Sequence, residues 1–368
     1  MKISCTQNKL NKGLSIVSRV VGSRTTLPVL SNIFLEAKSG QLKLSATDLE
    51  IGVTTSIGAK VDLEGSTTVP ARLISEFIAA NGDESINLES KNTTLHLKSQ
   101  RYEANIKGID PTEFPVIPDI TNDPLVTIKS GIFIKAVSEV IIACATDDTR
   151  PVLSGVYFKF DAGTLYMVAT DSYRLAEKTI DLPGSQVAKE FIVPVRSMQE
   201  LLRIASATEE LENISISATD NQVSFAVGET QIVSRLIEGA FPNYKQIIPT
   251  AFNSKAIISL PELVSAVKMA ALFARQGANN IKMKLSDGEL VITSVADQIG
   301  DNISRISAEI TGEAEEVAFN AKYVLDILQV LPDKKVLFEL NDKTSPGVIK
   351  PEKSNDFVYI IMPLRVEE

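Results

Sequence analysis

Tryptophan is absent from this chain, histidine occurs once, at position 96, and cysteine twice, at positions 5 and 144. These shortages remove most catalytic machinery. The usual serine and cysteine nucleophile systems place a histidine base at the nucleophile, and the usual structural zinc gathers four Cys or His ligands. His96 stands in the alternating stretch Thr94-Leu95-His96-Leu97-Lys98, a polar strand position. Cys5 and Cys144 lie among apolar neighbours, expected inside a strand and a helix respectively, as buried thiols. No glycine-rich phosphate loop is present, and no apolar run nears the roughly 20 residues that span a bilayer. Met1-Lys2-Ile3-Ser4-Cys5-Thr6-Gln7 alternates like a first strand and lacks a signal peptide's apolar core. The expectation is a cytoplasmic protein with no membrane partner, no metal and no cofactor.

What the chain does have is repetition. At 368 residues it exceeds one ordinary domain, and 44% hydrophobic with 23% charged residues suits folded globular units. Leu27-Pro28-Val29-Leu30-Ser31-Asn32-Ile33-Phe34-Leu35 and Arg150-Pro151-Val152-Leu153-Ser154-Gly155-Val156-Tyr157-Phe158 are versions of one segment. Each is followed by Ala46-Thr47-Asp48 or Ala169-Thr170-Asp171, with a weaker third copy at Val295-Ala296-Asp297 after the strand pair Lys282 to Leu285 and Glu289 to Thr293. Val69-Pro70-Ala71-Arg72, Val193-Pro194-Val195-Arg196 and Phe319-Asn320-Ala321-Lys322 open three helices. Phe114-Pro115, Phe241-Pro242 and Met362-Pro363 close the units, so three domains are expected at 1–125, 126–249 and 250–368.

Each unit reads as strand, helix, several strands, a second helix, then more strands. A first helix over Gln7 to Val21 puts Leu10, Leu14, Val17 and Val21 on one face, and Pro70 and Pro194 suit the first turn of the second helices. Gln41-Leu42-Lys43-Leu44 and Val223-Ser224-Phe225-Ala226-Val227 alternate as strands. The fold class is α+β, with two helices against antiparallel sheet in each unit.

The net charge of −9 argues against a surface that coats nucleic acid generally, but it is unevenly spread. Residues 7–24 carry Lys9, Lys12, Arg19 and Arg24 with no acid, and the six helical stretches together carry +5 against −14 elsewhere. Lys9, Lys12 and Arg19 fall nearly opposite the apolar stripe of their helix. That arrangement can accept a polyanion on one side, although an ordinary solvated face would look the same. Stacking aromatics and base-reading motifs are missing, so any contact is with phosphates and independent of sequence. Asp48, Asp171 and Asp297 invite a reading as paired catalytic carboxylates. Their equivalence in three copies argues for a repeated turn, since an active site combines unlike groups. A peptide-binding scaffold without nucleic acid is the third possibility.

Ala-Thr-Asp followed by Arg174-Leu175-Ala176, Phe241-Pro242-Asn243-Tyr244, Leu27-Pro28-Val29-Leu30 and Met362-Pro363-Leu364-Arg365 together resemble the beta-subunit family of bacterial DNA polymerase III, the processivity clamps. The likeness runs the length of the chain. It implies a DNA clamp fold of three similar domains, a head-to-tail homodimer with six domains in a ring, and a non-catalytic role holding polymerase on double-stranded DNA. Size agrees: a 123-residue domain is about 35 Å across, and six of them in a circle leave a hole of about 35 Å whereas three leave almost none. The resemblance places Arg24, Arg72, Arg150, Arg196, Arg203 and Arg275 toward DNA, with Asp147 and Asp148 beside Arg150 opposing phosphate there. It places a cleft for peptides of the replicative polymerase, clamp loader and repair proteins at Leu153, Thr170, Arg174, Leu175, Pro242, Ile247, Ile360, Met362, Pro363 and Leu364. Ser172 and Tyr173 stand there in place of smaller, more polar residues of some relatives. Ala104, Ile106, Leu272 and Phe273 match the family's dimer contact. Independently, Ile360 to Leu364 is an apolar end where a frayed polar terminus would be usual.

Overall fold

The computed structural model describes residues 1–22, 27–120, 124–147, 149–275, 279–296, 298 and 300–364. Its six helices among the described residues are α1 (Gln7–Val17), α2 (Ala71–Ala80), α3 (Ser130–Val140), α4 (Val195–Ala207), α5 (Leu260–Ala274) and α6 (Ala321–Val330). They fall two to a repeat, and the remainder is antiparallel sheet. No helix among the described residues is long and apolar enough to cross a membrane.

Local chemistry explains the helix ends. Leu10, Leu14 and Val17 of α1 are buried as their spacing predicts, but the helix stops at Val17, four residues earlier than expected. There the chain tightens, with the Val20 amide donating to the Val17 carbonyl. A three-residue turn eclipses positions i and i+3, so Val20 is buried and Val21 is only half-buried. Arg19 consequently lies beyond the helix end. The second helices begin one residue later than predicted: Pro70 is the residue before the first helical one, Pro194 ends its strand, and Asn320 caps α6 by accepting from the Lys322 amide. Cys5 is buried in a strand. Cys144, expected in a helix, instead follows a short 3-10 turn after α3. Burial raises the two thiols to about 11 and about 12.

One pairing rule recurs in all three repeats. The first strand of each lies beside the strand that follows its second helix: Lys2–Thr6 with Ser85–Lys91, Val126–Lys129 with Asn213–Ala218, and Ser254–Ser259 with Lys335–Leu340. The last strand of the second repeat, Thr230–Arg235, pairs with Ile51–Gly58 of the first. In the same way Phe357–Ile361 of the third pairs with Arg174–Asp181 of the second. The chain therefore divides into two compact units that do not follow the repeats. Met1–Phe133 with Gln199–Leu236 holds a five-stranded and an eight-stranded sheet, and Ile134–Met198 with Ile237–Glu368 holds a twelve-stranded sheet.

Of the strand edges that stay open among the described residues, two stand at positions that the pairing between successive repeats fills elsewhere. Glu103–Lys107 bonds only to Thr94–Lys98. The first half of the long strand Gly300–Gly312 bonds only to Glu289–Ala296, because Ser254–Ser259 covers just its second half.

Gly312 ends that strand at φ 106°, and a Cβ there would sit 1.9 Å from the Asn253 carbonyl oxygen. Gly131, in the first turn of α3, has nothing within 4 Å of an added Cβ. Gly312→Ala is expected to lower stability by about 2 kcal/mol or more, whereas Gly131→Ala is expected to be neutral or to raise it by about 0.5–1 kcal/mol. Urea unfolding of the two variants checks both.

Candidate functional site

The repeated aspartates are turn-makers. Asp48 Oδ1 accepts from the amides of Glu50 and Ile51 while Thr47 Oγ1 accepts from the Leu49 amide and donates to the Ile51 carbonyl. The second copy repeats each bond: Asp171 Oδ1 accepts from Tyr173 and Arg174, and Thr170 Oγ1 accepts from Ser172 and donates to the Arg174 carbonyl. Leu49 and Ser172 both sit at positive φ, 77° and 76°. Asp297 lies outside the described residues. The described carboxylates are occupied in folding the chain, which leaves the catalytic-pair reading without support from either.

The second turn carries an addition. Arg174 is buried and donates from Nε to Asp171 Oδ2 at 3.0 Å and from Nη1 to Asp326 of α6, with its guanidinium carbon 4.3 Å from the centre of the Tyr323 ring. Burial opposes this charge, but the facing Tyr359 hydroxyl, Asp326 and Asp171 outweigh it and raise the Arg174 pKa. Two carboxylates around one guanidinium, stacked on an aromatic face, satisfy a cation that could not otherwise be buried.

Strand pairing assembles the predicted cleft residues around this centre. Leu175 lies opposite Ile360, and both are buried in a cluster with Val168, Tyr244 and Val348. Tyr157 and Phe241 stack against it, ring centres 4.8 Å apart. Leu153 and Thr170 are buried too, so these four predicted residues form the floor and interior of the site rather than its accessible surface. Pro242, Ile247 and Met362 are exposed, and Pro363 and Leu364 half-buried. The Met362 amide donates to the Tyr173 carbonyl at 2.9 Å, and the Leu364 amide to Ala318. Tyr173, noted in the sequence only as a departure, is 61% exposed and stacks on Tyr323. Tyr323 and Asp326 were missed altogether; nothing in their helix marks them until α6 is placed beside the turn.

The predicted cations are differently situated. Arg24 and Asp148 lie outside the described residues. Arg72 is exposed and bridges Glu76 along α2. Arg196 is exposed on α4 and Arg275 follows α5. Arg203 is only partly exposed: Nη2 donates to the Ile16 carbonyl at 2.6 Å and Nε to Glu200, so it caps the end of α1. Arg150 belongs with the Thr170–Arg174 turn, where Nη1 donates to Ser172 Oγ at 3.2 Å. Asp147, its neighbour, accepts from Thr149 and is held below its ordinary pKa by those bonds. Of the proposed contact residues, Leu272 is 52% exposed, Phe273 and Ala104 are half-buried, and Ile106 is buried beneath its own sheet, which leaves the backbone edge of its strand as the accessible part.

Family models describing the N-terminal, central and C-terminal domains of the DNA polymerase III beta subunit match residues 1–118, 127–243 and 245–365. The chain belongs to that family. It is 32% identical over 375 residues to the beta sliding clamp of Synechococcus elongatus, covering all of both chains, and 31% identical to that of Staphylococcus epidermidis, covering 97% of this chain and 96% of the other. The crystal structure of the Bacillus subtilis DNA polymerase sliding clamp superposes with a TM-score of 0.95 at 27% identity, and that of the Pseudomonas aeruginosa DNA polymerase III subunit beta with 0.94 at 28%, each covering both chains fully. The three-domain clamp fold and the non-catalytic character of the family follow for this chain.

Arg174→Met strands the half-buried carboxylates of Asp171 and Asp326. A loss of about 3 kcal/mol is expected, read as a lower denaturation midpoint, with Asp326→Asn milder because Asp171 keeps its partner.

Proposed function

We propose that this chain is a sliding clamp of the cytoplasmic replication machinery, closed with a second copy head to tail around duplex DNA. The carrying observation is the pair of unfilled strand edges. Twice within the chain the last strand of one repeat pairs with the strand after the Asp turn of the preceding one. The third instance needs the last strand of the first repeat, Glu103–Lys107, and the start of Gly300–Gly312, and both edges are open. Pairing them within one chain would require a three-repeat circle, too narrow for DNA; pairing them between two chains gives six repeats. Ser234 opposite Ile51 and Ile361 opposite Arg174 set the register, which carries over to Ile106 opposite Gly300 and Ala104 opposite Asn302. Met269, Leu272 and Ile303, all more than half exposed, supply apolar surface at the same end.

Domain boundaries near 125 and 250 fit this scheme. A closed ring stays on DNA by topology, so weak phosphate contacts from Arg24, Arg72, Arg196, Arg275 and the α1 lysines suffice and permit sliding. Arg203, which caps α1, has less to offer, and Arg150 we assign to the rim of the cleft. There Pro242, Ile247, Tyr173 and Met362 would receive apolar anchors of a peptide from polymerase, clamp loader or repair proteins.

Ala104→Cys with Asn302→Cys is expected to give a covalently closed dimer on mild oxidation, within the Cα separation a disulfide spans, and that dimer to stay on circular DNA and leave it on linearisation. An oxidised monomer overturns the head-to-tail reading. Leu272→Asp is expected to shift the mass in solution to monomer without loss of folding. Arg24→Ala with Arg196→Ala lowers DNA affinity at low salt, each lost phosphate contact also reducing the salt dependence by about one unit. Deletion of residues 362–368 abolishes binding of clamp-binding peptides and leaves the dimer.

A further inference from the structure

The compact unit formed by Met1–Phe133 and Gln199–Leu236 contains a pocket of about 310 Å³ between the outer face of its eight-stranded sheet and the segment Pro111–Asp119. Its counterpart in the other unit is already filled, and by what is instructive. Phe34 and Phe114 stack at 5.3 Å just as Tyr157 and Phe241 do at 4.8 Å. Three residues beyond the Phe of each Phe-Pro, the second repeat has Tyr244 and the first has Ile117. The Tyr244 ring packs on Leu175 and Val168, and its hydroxyl donates to Glu177. Ile117 packs at the matching place, over Gly52, but it ends where the ring of Tyr244 continues. Beneath that space two apolar positions have become polar: Ser45 stands for Val168 and shares a hydroxyl hydrogen bond of 3.0 Å with Thr54, and Gln231 stands for Val358 and reaches Asp119, while Thr54 takes the place of the Glu177 carboxylate. Val116, at the mouth, is 92% exposed.

We propose that this pocket receives the phenol ring of a tyrosine carried by a partner protein, in the position that Tyr244 occupies in the other unit. The ring lies against Phe114 and Ile117, and its hydroxyl donates to the Asp119 carboxylate at the polar end. An aromatic ring with one polar tip suits a slot with an aromatic wall and a polar end better than an aliphatic side chain, which could make no hydrogen bond there. A tyrosine also reaches the pocket from the surface, past Val116, without opening the core.

The test titrates the full-length protein, with labelled isoleucine and valine methyls, with N-acetyl-tyrosinamide, p-cresol and toluene. Both phenols are expected to shift the Ile117 and Val116 methyls saturably, the capped tyrosine at least as tightly as p-cresol, and toluene about fivefold more weakly for want of one hydrogen bond. Ile117→Tyr fills the pocket and abolishes the shift at Val116. Asp119→Ala, which removes the acceptor, brings p-cresol down to the affinity of toluene. The proposal is overturned by the absence of saturable shifts, by shifts that survive Ile117→Tyr, or by toluene binding as well as p-cresol. It is overturned equally by Asp119→Ala leaving p-cresol unaffected, or by p-cresol outbinding the capped tyrosine, which would make a free phenol the ligand.

Discussion

Each repeat of this chain ends in a strand that pairs with the one before it but whose outer edge has no partner within the repeat. Backbone groups left unpaired cost free energy wherever water is excluded, and an open edge invites another strand. Pairing with the preceding repeat is the solution used at Thr230–Arg235 and again at Phe357–Ile361. It makes the sheets cross repeat boundaries, which is why the compact units cut through α3 and α4 instead of between the repeats. The same constraint leaves the first repeat's last strand and the third repeat's long strand each with a vacancy, and the proposed dimer follows from filling both.

Junctions within the chain carry side chains fitted to them. At Arg174–Asp181 the guanidinium of Arg174 ties the turn to α6, and Lys178 joins Glu139 of α3 at 3.0 Å and Asp356 at 2.7 Å. At Ile51–Gly58, Thr55 and Thr230 share a hydrogen bond across the pairing, and Arg203 caps α1. Removing one partner of the buried pairs at Arg174 and Lys178 would leave the other charge buried and unpaired, which is costly whatever the pair's net contribution. The interior of the proposed cleft is thus packed core, and its accessible apolar groups are the few at its rim.

The repeats differ in the buried layer between their sheets and the Phe-Pro segments that cover them. Val168 and Leu175 in one correspond to Ser45 and Gly52 in the other, and Tyr244 to Ile117. Each substitution is tolerated because its neighbours changed with it: Gly52 leaves the room that Ile117 takes. One scaffold thereby presents two unlike outer surfaces.

The threefold repeat, the α+β class and the role of the aspartates were legible in the amino-acid order, because turns and alternation are local and a repeated motif reports a repeated geometry. Leu10, Leu14 and Val17 could be placed on a buried face for the same reason. The order could not show that α1 ends at Val17, that Cys144 follows a 3-10 turn, or that Ile106 faces its own core, since a tight turn and the choice of sheet face are settled by neighbours far along the chain. Nor could it show that Arg150 and Arg203 bond within the chain: one donates to Ser172 and the other to the carbonyls of α1, and a side chain's partner is set by three-dimensional proximity. Composition and local pattern determined what each segment would become; only long-range strand pairing decided which segments meet, because hydrogen bonds between distant strands carry no signature in either strand alone.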